Sequence, residues 1–185
     1  MLSCINKRVA LVGAASILFL SGCTFQATPY SPSAVNVKVI SNESFNKFEI
    51  SEFSSFNSDL KSIGCRAAGP VKTPNGQTYE SYIFEAFKSE LKLAEVFSED
   101  SAVKLKGKLE HIDFNSNLGS GNWNIRLSFT DGNESFEVNT IYPFESFWVA
   151  DRACQKVAES LAPAVQKTIQ DIVAHPKFKL MVGKR

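Results

Sequence analysis

"WNIRLSFTDGNESFEVNTIYPF", residues 123 to 144, decides the fold. Trp123, Ile125, Leu127 and Phe129 alternate with Asn124, Arg126 and Ser128, and after Asp131-Gly132 the alternation resumes with Phe136, Val138 and Tyr142. A period of two with one apolar face describes a half-buried strand. Asp-Gly between two such runs is a strong hairpin signal. Upstream, "VKLKGKLE" (103 to 110) sets Val103, Leu105 and Leu109 on one face against Lys104, Lys106, Lys108 and Glu110 on the other. At His111 the parity inverts, because Ile112 and Phe114 take the opposite phase, which predicts a bulge or a strand end there. With the polar loop "NSNLGSGN" between them, these runs read as a three-stranded antiparallel meander.

On either side of the meander the period changes to that of a helix. From about Thr78, which can cap, to Phe97, the residues Ile83, Phe87, Leu91 and Ala94 recur at helical spacing after the turn chemistry of "KTPNGQTYE". From about Val149 to Ala174 the stripe is Ala153, Val157, Leu161, Val165, Ile169 and Ile172. Pro163 predicts a kink within that helix and Pro176 its stop. "VNVKVI" (35 to 40), with Val35, Val37 and Val39 in one phase, reads as a first strand. Phe45, Phe48, Phe53 and Phe56 fit neither period, so their stretch reads as a short strand plus an irregular segment. Two amphipathic helices and one apolar sheet face are satisfied together when both helices cover that face. The expectation is a two-layer α+β sandwich, an antiparallel meander sheet with two helices packed on one face.

The N-terminus carries an address. Lys7 and Arg8 precede an apolar run from Val9 to Leu20, about 18 Å of helix against a hydrocarbon core of roughly 30 Å. A positive start, a short apolar centre and small residues at the end describe a secretory signal peptide rather than a membrane span. The ending Leu20-Ser21-Gly22-Cys23 resembles the lipobox of bacterial lipoproteins, in which the chain is cut before a cysteine that is lipidated. That resemblance implies a lipid anchor on Cys23. Thr24 follows where the enterobacterial lipoproteins retained at the inner membrane carry an aspartate, so the expected residence is the outer membrane, facing the periplasm. Residues 1–22 are then a signal peptide, 23–34 a lipidated tether ("TFQATPYSPSA", short of charge and holding Pro29 and Pro32), and 35–180 a single periplasmic domain.

Cleavage removes Lys7 and Arg8 from the 20 basic residues and leaves 18 against 19 acidic ones, a balance that recruits no nucleic acid. Cys4 leaves with the signal and Cys23 is lipidated, so Cys65 and Cys154 remain, and an oxidising compartment suggests that they pair. Such a bridge would close a loop of roughly 90 residues, worth about 4 to 5 kcal/mol on the chain-entropy account. Two buried thiols are the alternative. No metal is expected, since these cysteines with His111 and His175 show no ligand spacing, and no cofactor motif is present.

Catalytic signatures do not rise above chance. Ser-x-x-Lys occurs at Ser44, Ser58, Ser89 and Ser101, as the many serines and lysines would produce at random, without the Lys-Thr-Gly or Ser-Asp-Asn elements of serine acyl-enzymes. Gly119-Ser120-Gly121 lacks the spacing of a nucleophile elbow. The row Lys104, Lys106, Lys108 with Arg126 offers a candidate surface for lipid phosphates, although such rows are more often the solvated face of a strand. Most of the 15 phenylalanines are accounted for by a core. The Phe144, Phe147, Trp148 cluster and the Phe45, Phe48, Phe53, Phe56 stretch are the candidates to line a groove or a partner surface.

In element order, from "TYESYIFEAFKSELKLAEVF" through "ACQKVAESLAPAVQKTIQDIV", the chain is similar to small Gram-negative lipoproteins with a helix-and-sheet domain. These include auxiliary lipoproteins of lipid transporters and the lipoprotein partner of the lipopolysaccharide translocon. The resemblance implies a non-catalytic accessory or assembly factor for an envelope complex, docking on an envelope protein through a sheet edge such as "VNVKVI" or through the Phe45 to Phe56 segment. The alternative is a lipid- or lipopolysaccharide-binding lipoprotein using the lysine row.

Overall fold

The computed structural model describes residues 23–183; residues 1–22, where the signal peptide is expected, with Cys4, Lys7 and Arg8, and residues 184–185 lie outside the described residues. In chain order the elements are β1 (Phe25–Gln26), α1 (Ala34–Asn42), β2 (Glu49–Ser55), β3 (Ser62–Cys65), β4 (Gly69–Lys72) and α2 (Tyr79–Leu93). They continue with β5 (Lys104–Asn115), β6 (Gly119–Thr130), β7 (Ser135–Ser146), α3 (Ala150–Ala174) and α4 (Pro176–Val182).

The meander forms as its alternation requires. β5, β6 and β7 pair antiparallel, and Trp123, Ile125, Leu127 and Phe129 of the central strand are all buried. At the hairpin the Asp131 carboxylate accepts from the amides of Asn133 (2.9 Å) and Glu134 (2.8 Å), an Asx-type lock on the turn. The Glu134 and Asn133 amides also hold the Asp131 pKa below the usual carboxylate value. The parity change at His111 is a bulge: Leu109 faces Leu127 and His111 faces Arg126, which leaves Glu110 as the extra residue. Without it Ile112 would point to solvent; with it Ile112 is buried.

The sheet is mixed rather than a pure antiparallel meander. Its order is β2-β5-β6-β7, and β2 joins β5 in parallel. A register shift between Ile50 and Glu52 explains the aperiodic phenylalanines. Phe48 and Ile50 keep one phase, Ser51 is the extra residue, and Phe53 thereby returns to the core side. Phe53 lies opposite Gly107, where an added Cβ would come within 2.5 Å of the Phe53 ring; the glycine leaves room for that ring to stack on Phe84, centroids 5.4 Å apart.

Residues 35 to 40 are not a strand but part of α1. Ser33 caps it, its hydroxyl accepting from the Asn36 amide (3.3 Å). Asn36 and Ile40, one turn apart, are buried, and the Asn36 side-chain amide donates to the Gln166 carbonyl of α3 (2.8 Å). Val35, also one turn from Val39, faces solvent with it. Cap and tertiary contact thus override the β-branched composition.

Helices α2 and α3 cover the apolar face of the main sheet. Thr78 caps α2 through the Ser81 amide (3.1 Å), and Tyr79, Tyr82, Ile83, Phe87 and Leu91 point into the core. α3 runs through Pro163 as one continuous helix, and the buried Trp123 indole donates to its Val157 carbonyl (3.0 Å). Pro176 ends α3 and sits in the first turn of α4. From α4 the buried Phe178 enters a cluster of edge-on and tilted rings with Phe45, Phe48, Phe87 and Phe136. A small second sheet, order β1-β4-β3, packs on α3. Cys65 of β3 and Cys154 of α3 form the disulfide between them, 89 residues apart in the chain.

Candidate functional site

Two surfaces carry the residues that the sequence singles out, and they are built differently. The first is the open face of the main sheet. Strand alternation sends Lys104, Lys106 and Lys108 outward, but each meets a carboxylate: Glu49 (2.5 Å), Glu52 (2.9 Å) and Glu110 (2.8 Å) in turn. Arg126 lies 3.8 Å from Glu137, and His111 3.1 Å from Asp113. The ion pair with Lys108 and the Ser128 hydroxyl, which donates to Glu110, lower the Glu110 pKa. A shallow depression of about 300 Å³ on this face is lined by Glu52, Ser54, Lys106, Lys108, Ser128 and Thr130 among others. The cations are therefore locally neutralised by their strand neighbours.

The phenylalanine stretch does not form a surface. Phe45 and Phe48 are buried around Phe178, and Phe53 is half-buried against Phe84. Only Phe56 of the four is exposed, at 49 %. The register shift returns Phe53 to the core and Phe178 covers Phe45 and Phe48, so three of the four are removed from any docking role.

The second surface surrounds Cys23, which is exposed and outside the disulfide. The linker-like composition of residues 23–34 predicts a flexible tether; the chain is instead strapped to the body at once. Phe25 and Ala27 are buried, Phe25 pairs with Val71, and the Ala27 amide donates to the Lys72 carbonyl (2.8 Å). The Tyr82 hydroxyl donates to the Thr28 carbonyl (3.0 Å), and the Gln166 amide to the Ser31 carbonyl (3.0 Å). The centre of the strap is Glu90 of α2, fully buried. Its Oε1 accepts from the Tyr30 hydroxyl (2.5 Å) and from the Ser33 amide (2.8 Å) at the start of α1, and its Oε2 has no partner among the described residues. Burial first, and the Glu90 carboxylate second, raise the Tyr30 pKa far above the ordinary phenol value.

Next to Cys23 lies the β3–β4 turn. Gly69 has φ +140°, and a Cβ there would sit 1.9 Å from the Cys23 carbonyl oxygen, so only glycine admits the chain at this point. From the same turn Arg66 donates to the carbonyls of Ser116 and Trp148, the latter at 3.1 Å. This brings the β5–β6 loop and the β7–α3 loop to the Cys23 end. Those loops expose Leu118 (59 %), Trp148 (80 %) and Val149 (53 %). Trp148 stands out in the sequence as part of an aromatic cluster; its neighbours Phe144 and Phe147 are half-buried. Leu118 carries no sequence signal, because only the Arg66 bridge to Ser116 ties its loop to the β3–β4 turn.

Among the described residues no helix is long and apolar enough to cross a membrane, and no group of His, Cys, Asp and Glu is arranged to hold a metal ion. No family model and no curated protein matches the chain. Among solved structures it is similar to one titled "Crystal structure of uncharacterized protein", at 7% identity and a TM-score of 0.43, over 80% of this chain and 99% of that one, a likeness that carries no argument about function.

Proposed function

We propose that this protein is an outer-membrane lipoprotein, anchored through Cys23 and facing the periplasm, that serves as a non-catalytic accessory or assembly factor for an envelope complex. The observation that carries the reading is how soon the described chain is packed after the lipobox-like Leu20-Ser21-Gly22-Cys23. Phe25, two residues beyond Cys23, is already buried. Cleavage before Cys23 would remove none of the packed residues just described. Two or more acyl chains suffice for stable anchoring, and the Cys65–Cys154 disulfide suits an oxidising compartment.

Residues 35 to 40 offer no edge for a partner, because they are helical. The edge strands of the main sheet are β2 and β7. β7 carries Pro143 and outward Glu137 and Glu145, features that discourage pairing, so β2, with Phe56 just beyond its end, is the better docking edge for an envelope protein. The pairing of each open-face cation with a carboxylate weighs against the alternative of a head-group binder.

Cells grown with an alkynyl fatty-acid analogue decide the anchor: label is expected on the wild type and none on Cys23→Ser. A wild-type protein without lipid ends the reading. Crosslinking in intact cells then separates the roles, since one dominant protein partner supports the accessory role and a copurifying lipid with no such partner supports the alternative.

A further inference from the structure

We infer that the end of the domain around Cys23 rests on the bilayer itself, with Trp148, Val149 and Leu118 seated among the lipid head groups. The inference rests on the lipid anchor proposed above and adds an orientation to it. An anchored domain usually has slack, and slack lets it tumble above the membrane. Here there is almost none: one residue separates Cys23 from β1, and β1 is paired to β4. The Cys23 carbonyl lies against Gly69, inside the turn whose first residue, Cys65, is bonded to α3. An acyl chain on Cys23 would therefore hold this turn, and everything fixed to it, within a few ångströms of the bilayer surface.

What is fixed to it is apolar and uncovered. Arg66 ties the carbonyls of Ser116 and Trp148 to the turn, so the two loops that carry Leu118, Trp148 and Val149 are fixed to it. Tryptophan is the side chain best suited to the membrane–water boundary, its ring being apolar and its N–H polar. Trp148 contrasts with Trp123, which is fully buried and donates its N–H to α3. On the turn and around the β7–α3 loop the exposed charges are two of each sign, Arg66 and Arg152 with Glu145 and Asp151. The contact is consequently apolar in character and indifferent to the charge of the head groups.

The two tryptophans make the test direct. The mature lipidated protein is reconstituted in phosphatidylethanolamine/phosphatidylglycerol vesicles containing brominated phosphatidylcholine, beside the Trp148→Phe variant, whose remaining indole is Trp123. Trp148 is exposed, so the variant is expected to fold. The wild type is expected to lose most of its Trp148 emission, with a blue shift relative to detergent, when bromines lie near the head-group end of the acyl chains. Trp148→Phe should lose almost none, and high salt should change neither result. Vesicle-bound, lipidated protein whose Trp148 is neither quenched nor shifted overturns the orientation and leaves the anchor standing. A mass spectrum of the N-terminal peptide that shows no acyl group overturns both.

Discussion

On the open face of the main sheet every cation of the lysine row sits against a carboxylate, whereas at the Cys23 end three apolar side chains face outward with no protein covering them. The first surface is complete in itself. Its charges are satisfied within the sheet, β2 supplying the partners of Lys104 and Lys106 and β5 itself that of Lys108. The second is complete only if something outside the domain covers it, and the chain is built to present it rigidly. A disulfide and an arginine bridge to two carbonyls fix the β3–β4 turn beside Cys23, and the strap that follows ends on a buried glutamate. The difference teaches that charge density is a poor guide to where this protein meets its surroundings, and that mechanical fixation is a better one.

The sharpest way to break the contrast is to release the fixation. Cys65→Ala with Cys154→Ala removes a cross-link that, by chain entropy, is worth about 4 to 5 kcal/mol for a loop of this length. Urea unfolding is expected to register a loss of that order, with the β3–β4 turn losing amide-exchange protection first. A loss below about 1 kcal/mol would mean that the turn is held by Arg66 and Gly69 without the bridge.

A smaller loss is expected from the strap. Tyr30→Phe deletes one of the two donors to the buried Glu90 oxygen, and leaving such a partner unmade costs about 1 to 3 kcal/mol. Exchange in residues 25–33 should rise before exchange in β6 does, because β1 is only two residues long. The same phenol gives a pH test. Tyr30, Tyr79 and Tyr82 are all raised above the ordinary value of 10.0 by burial, Tyr30 further by Glu90. The folded state keeps these protons while the unfolded state loses them near 10, so the unfolded chain binds fewer protons and stability falls as pH rises through that value. Below it the contribution is fully present. The urea midpoint is expected to be level to about pH 9 and to drop beyond 10, less steeply in Tyr30→Phe. An unchanged slope in the variant would place Tyr30 outside the folded core in solution.

How much of this was legible without coordinates follows from the range of the forces involved. The meander, its Asp131-Gly132 hairpin, the bulge beside His111 and helices α2 and α3 are written as local periodicities, which one sequence displays. α1 is not, because Val35, Val37 and Val39 alternate like a strand and only Ser33 and the contact of Asn36 with α3 make them helical. The parallel pairing of β2 escapes because the extra residue at Ser51 scrambles its period. The strap escapes for a different reason: "TFQATPYSPSA" has the composition of a linker, and what orders it is Glu90, 57 residues downstream of Ser33. Of the candidate site residues, Cys65 and Cys154 could be paired by elimination, whereas the cover over Phe45 and Phe48 comes largely from Phe178, near the far end of the chain.

The smallest effect is expected where the sequence shows the most charge. Lys104, Lys106 and Lys108 point outward from Leu105 and Leu109, and exposed ion pairs contribute about 0 to 1 kcal/mol each. Changing all three to Gln should leave the fold intact. The Glu110 pKa should rise when Lys108, the main cause of its depression, is gone. Glu49, the least exposed of the three carboxylates, is left with the most costly vacancy. Vesicle association of the lipidated triple variant should match the wild type at low and at high salt, because the contact argued for the Cys23 end uses no net charge, and complementation of a deletion strain should be retained. Attraction of phosphates to the lysine row would behave otherwise: it would weaken as salt screens charges beyond about 8 Å and would vanish in the triple variant. A triple variant that folds, stays anchored and yet fails as completely as the deletion would transfer the function from the Cys23 end and the β2 edge to the open face, and the accessory reading would give way to lipid binding.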